Sequence, residues 1–178
     1  MIFIVRYSIV VLLRIHILKG VIITARIYKT IRFAYETKYW IDQLIIYRTE
    51  QLQKSIREKG LSERIEGILL DMTDQELDGV SINVTLNITA GSIIEQAVKY
   101  SRGLSIEDWK SISSEAENAK KQIKDSSQDD STPRVYINEQ IYRELEDLQT
   151  LMREDSPRVP RMSFVIKLAV YNLYKTLK

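Results

Sequence analysis

Few residues in this 178-residue chain are able to do covalent or metal chemistry. It has no Cys and one His, His16. Thiolate metal sites, Cys nucleophiles, His-based zinc sites and a Ser-His-Asp triad are therefore beyond what one copy can build. The acid pairs Glu63/Glu66, Asp71/Asp74 and Asp129/Asp130 remain as candidates for carboxylate metal binding or acid–base work. They have no His partner, phosphate loop or Gly-rich turn beside them, so solvated helix faces and a linker account for them better. The expectation is no catalytic residue, no metal, no cofactor and no enzyme. Two other patterns stand out near the C-terminus. Arg134, Tyr136 and Asn138 alternate with Val135 and Ile137, and Arg158 and Arg161 lie just ahead of Ser163 and Phe164.

The elements that must carry these residues follow from periodicity. Residues 134–138 alternate as a short strand, and Asn138 can cap a helix from Glu139 to about Arg153, with Ile141, Leu145, Leu148 and Met152 inward. After a turn over Asp155–Pro160, Ser163 caps a last helix carrying Ile166, Ala169 or Val170, Leu173 and Leu177. Upstream, Lys124–Pro133 is polar and lacks bulky apolar residues, as a linker does. Ser105 with Asp108 resembles a capping box for a helix with Ile106, Trp109, Ile112, Ala116, Ala119 and Ile123 on one stripe. Before it, a helix runs from about Gly91 to Arg102, stopped by Gly103. Val80–Thr89 alternates apolar and small polar residues over ten positions, the pattern of a half-buried strand. That alternation also explains its two glycosylation-type triplets, at Asn83 and Asn87.

The N-terminal third is less regular. From Tyr35 to about Glu58 the pattern is helical, with Tyr39 or Trp40, Leu44, Tyr47, Leu52 and Ile56 recurring, and Gly60 ends it. Ser62 caps a shorter helix with Ile65, Ile68, Leu69 and Met72. Trp40, Tyr47 and Trp109 read as core residues. Residues 1–25 are apolar, with Leu18-Lys19-Gly20 a candidate hairpin turn. Arg6, Arg14, His16 and Lys19 interrupt them, so neither a membrane span nor a signal peptide is expected. Net charge is +2, but it is unevenly spread. Residues 1–38 hold seven Lys/Arg against Glu36 alone, and residues 61–96 hold seven acids against Arg64. An anionic partner should therefore meet only some segments.

Strand, helix, turn, helix over Arg134–Lys178 resembles the ribbon-helix-helix DNA-binding fold of Arc- and MetJ-type regulators. The residues that carry the resemblance are the five-residue strand, the amphipathic helix after it, and Ser163-Phe-Val-Ile166-Lys-Leu-Ala169-Val-Tyr-Asn-Leu173. A weaker copy spans Val80–Ile123. Together the two look like the tandem form found among archaeal viral regulators. The resemblance implies an α+β, mostly α fold: two ribbon-helix-helix-like units after an N-terminal strand and helix region. The divisions are 1–79, a weak unit over 80–123, a linker over 124–133 and the DNA-binding unit over 134–178.

In that family two units pair their strands into an antiparallel ribbon, with one face on helices and the other in the major groove. By the resemblance, Val135 and Ile137 point inward. Arg134, Tyr136 and Asn138 point to base edges, where Arg suits guanine and Asn suits adenine. Arg158, Arg161 and the amides near Ser163 and Phe164 hold a phosphate. The implied protein is a sequence-specific transcription regulator, a repressor, working on double-stranded DNA as a homodimer or higher oligomer, with no membrane span and a cytoplasmic location, inside the host cell if viral. The competing expectations are a structural or assembly protein that uses its N-terminal region, and an antitoxin-like protein.

Overall fold

A computed structural model describes residues 25–73, 86–123, 132–153 and 158–177. The protein is mostly helical, with one two-stranded antiparallel sheet. Its elements are β1 (Arg26–Thr30), α1 (Tyr35–Lys59), α2 (Leu61–Thr73), α3 (Ala90–Tyr100), α4 (Ile106–Lys120), β2 (Arg134–Asn138), α5 (Glu139–Leu151) and α6 (Met162–Tyr174), closed by a 3-10 turn over Lys175–Leu177. No helix among the described residues is long and apolar enough to cross a membrane.

The strand over Arg134–Asn138 forms at the residues its alternation marks, with Val135 and Ile137 buried and Arg134 and Tyr136 exposed. Its partner is β1, in the register Arg26↔Asn138, Tyr28↔Tyr136 and Thr30↔Arg134. The pairing extends one step at each end: Glu139 N–H donates to the Ala25 carbonyl and Ile31 N–H to that of Pro133. This pairing bears on the expected dimer and on the expected strand over Val80–Thr89. A strand needs a partner for its edge groups, but the chain supplies that partner itself, so the strand gives no ground for expecting a dimer. The partner is not the alternating segment Val80–Thr89 either. Its first six residues lie outside the described part, and residues 86–89 form no strand. Thr89 instead caps α3, its hydroxyl accepting from Ser92 N–H while the Ser92 hydroxyl accepts from Thr89 N–H. The capping demand of the helix overrides the local alternation there.

Helices α3 and α6 pack against one another beneath the sheet, joined by a buried hydrogen bond from Asn172 Nδ2 to Ser101 Oγ at 3.0 Å. They carry the same buried order, Ile93-Ile94 then Ala97-Val98 in α3, and Val165-Ile166 then Ala169-Val170 in α6. Helix α1 packs on α6 and α3, with Trp40, Ile41 and Leu44 buried and the Trp40 ring 4.8 Å from that of Tyr171. Tyr47, expected inward, is exposed, because the second half of α1 runs past the core; Gly60 at φ 53 then turns the chain into α2. A left-handed turn of this kind favours glycine. The Ser105/Asp108 capping box starts α4 as expected, and α4 buries Trp109, Ile112, Ala116 and Ala119. Helix α5 buries Ile141 and Leu145. The buried apolar side chains of these helices, with Ile31, Phe33, Val135 and Ile137, form one continuous core.

Candidate nucleic-acid interface

Alternation within a strand pair divides the ribbon into two faces. Val135, Ile137 and Ile27 face the helices, and Lys29 joins them by laying its ammonium 4.4 Å over the Tyr142 ring. The other face is solvent-accessible, with Tyr28 56% and Tyr136 43% exposed. These two tyrosines are direct cross-strand partners, and their rings stack with centroids 4.5 Å apart. Each strand then places an arginine diagonally over the other strand's tyrosine. Arg134 lies 4.3 Å from the Tyr28 centroid and Arg26 lies 5.4 Å from that of Tyr136. Such contacts contribute roughly 0.5–1 kcal/mol each at exposed sites and hold flexible guanidinium groups in a defined plane. The result is a short row of Arg, Tyr, Tyr and Arg across an accessible sheet face.

The free edge of β2 is closed by α3. The Glu95 carboxylate accepts the Asn138 N–H at 2.9 Å and pairs with the Arg26 guanidinium at 3.0 Å. Two residues into α3, Gly91 lies against the β2 backbone: a Cβ there would collide with the Tyr136 carbonyl oxygen and sit 3.1 Å from its carbon. Only a residue without a side chain permits that approach.

Of the residues expected to meet base edges, Arg134 and Tyr136 are brought together on the open face. Asn138 lies at the strand end, and its side-chain oxygen accepts from both Gln140 and Ile141 N–H, capping α5. Both lone pairs of that oxygen are engaged, so Asn138 lacks the acceptor needed for the two-point adenine pattern while it caps. The expected phosphate site changes too. Helix α6 begins at Met162, two residues earlier than a Ser163 cap requires; Arg161 occupies the N-cap position with no side-chain cap bond. Ser163 therefore sits inside the first turn. Phe164 N–H donates to the Arg161 carbonyl, and its ring packs against the core. Arg158 and Arg161 are exposed just ahead of this helix.

Sequence reasoning passed over Arg26, Tyr28 and Thr30. The signal was present as an internal repeat: Arg26-Ile-Tyr28-Lys-Thr30 matches Arg134-Val-Tyr136-Ile-Asn138 in its Arg, β-branched and Tyr positions. Among the described residues no group of acids or His is arranged to hold a metal ion. Compared with protein-family models, curated proteins and solved structures, the chain has no match.

Proposed function

We propose that this protein is a sequence-specific DNA-binding regulator of the ribbon-helix-helix type, in which a single chain supplies both strands of the ribbon. The observation that carries the reading is the open ribbon face, where matching Arg-x-Tyr strands stack Arg134 on Tyr28 and Arg26 on Tyr136 over a helical support. A two-stranded ribbon fits the major groove of duplex DNA, and a guanidinium fork matches the two acceptors that guanine presents there. The order strand, helix, helix occurs twice around this ribbon. β2, α5 and α6 form one unit, and β1, α1 and α3 the other, with α2 and the chain up to Thr89 inserted. In this reading Arg158 and Arg161 meet backbone phosphates, the protein works where the DNA is, inside the cell, and it represses by occupying its site.

Binding-site selection at several salt concentrations tests the proposal. Arg134→Ala costs about 1–3 kcal/mol and relaxes one base-pair position. Arg161→Ala weakens all sequences alike and lowers the salt slope by about one. If folded Arg134→Ala protein keeps both affinity and site preference, the ribbon does not read DNA. An assembly role for the protein then takes precedence.

A further inference from the structure

Resting on that reading, we infer that the protein recognises a non-palindromic duplex element, bound by one chain in one orientation, with its guanine-specific end beneath Arg134 and Thr30. A ribbon made from two identical chains has a twofold axis and must present identical ends. Here the axis through the Tyr28/Tyr136 pair relates residues that match only in part. Arg26 corresponds to Arg134 and Tyr28 to Tyr136, but Thr30 corresponds to Asn138, and inward-facing Lys29 to Ile137. One end therefore pairs Thr30 with Arg134, and the other pairs Arg26 with Asn138.

The chemistry of the two ends differs more than their composition. At the Arg26 end, Glu95 is buried to 10% side-chain exposure and holds the guanidinium at 3.0 Å. The same carboxylate takes the Asn138 backbone N–H, and the Asn138 side-chain oxygen is committed to its helix cap. The charge of Arg26 is thus matched within the protein and its fork is partly occupied. At the other end Arg134 rests on the face of Tyr28, and no acid among the described residues pairs with it. No pairing among the described residues occupies its fork, which matches the O6 and N7 acceptors of guanine, with the small Thr30 beside it able to accept a thymine methyl. Because both strands belong to one chain, no second copy restores the missing symmetry. Glu95 is the positioning residue that keeps the Arg26 end tolerant.

The test uses the full chain. Sites are selected from random duplexes, and the mass of the complex gives the number of chains bound. The expected product is a non-palindromic element occupied by one chain. Arg134→Ala lowers affinity for it roughly five- to 150-fold and relaxes one end. Arg26→Ala has a smaller effect and relaxes no strong guanine position. Glu95→Gln keeps an acceptor for Asn138 N–H but releases Arg26, so a second guanine preference emerges at the far end; a merely structural role for Glu95 would lower affinity without changing the selected sequence. The chain has no Cys. A DNA-cleaving group can therefore be attached through Thr132→Cys, and it should cut on one side of the element only. Two chains on a longer palindrome, each covering one such element, also support the inference. A palindromic element occupied by a single chain, with equal losses for Arg26→Ala and Arg134→Ala, overturns it and leaves the DNA-binding reading intact. Absence of any sequence preference rejects the DNA-binding reading itself.

Discussion

At Gly91 a helix touches the ribbon's backbone, and the side chain that would ordinarily improve the helix is excluded. Alanine favours a helix over glycine by about 1 kcal/mol, yet its Cβ would meet the Tyr136 carbonyl. Backbone on both sides leaves little room to adjust, so Gly91→Ala is expected to destabilise the fold by about 1–3 kcal/mol. Urea unfolding measures it, and a neutral or stabilised variant would mean that α3 stands further from β2. Asn138 carries a second residue-scale prediction. As the cap of α5 it contributes about 1 kcal/mol, so Asn138→Ala should lower the unfolding midpoint whether or not DNA is present. Glycine here could not be singled out from sequence, because its requirement comes from β2, more than forty residues away. The Asn138 cap could be, because the bond is local.

Helix α4 is tied partly by charge to α6 and to the 3-10 turn that follows it. Lys167 Nζ donates to Glu117 Oε1 at 2.6 Å, and Lys175 Nζ to Glu115 Oε2 at 3.3 Å. The hydrogen bond from Lys167 holds the Glu117 carboxyl below its ordinary range. A depressed carboxyl contributes stability above its unfolded pKa, and that contribution is lost as pH falls through the folded value. The advantage of the natural chain over Glu117→Gln should therefore be present at neutral pH and shrink from about pH 5 downward. Denaturant midpoints for both proteins across that range check it; an advantage that grows on acidification contradicts the pairing. The high exposure of Glu117 keeps the effect small and salt-sensitive. Strand β2 is subject to a larger dependence. Its partner strand, its edge cover and much of the packing on α6 come from residues before 101. Residues 133–178 alone are accordingly expected to remain unfolded at micromolar concentration, read by circular dichroism. A cooperatively folding monomer from that fragment would contradict the dependence.

On the scale of the whole molecule, one core joins the ribbon to five helices. Trp40 in α1 and Trp109 in α4 are the chain's two tryptophans, and both are buried in that core. Variants retaining one each, Trp40→Phe and Trp109→Phe, should show equal shapes for their fluorescence and circular-dichroism transitions, since a shared core unfolds as a unit. Transitions that separate between the two probes would divide the protein into independent parts.

The positions of most helices, the strand at Arg134–Asn138, the Ser105/Asp108 box and the Asn138 cap were legible in the sequence. Each depends on contacts within a few residues: a helical stripe, a two-residue alternation, a side chain bonding to an amide two or three residues on. The pairing was not legible. Strand β1 has only five residues, places Lys29 at an inward position, and follows an apolar stretch without a clear period. Its strand character is conferred by a partner more than a hundred residues away, and register is set by which face that partner buries. Conversely, the clear alternation of Val80–Thr89 does not make residues 86–89 a strand, because none of the described residues pairs with them and Thr89 is drawn into a helix cap. The sequence by itself determined which side chains alternate or recur. Only the tertiary structure decided that the ribbon closes within one chain, that Arg26, Tyr28 and Thr30 share its open face, and that Glu95 makes its two ends unequal, since each depends on groups brought together by long-range packing.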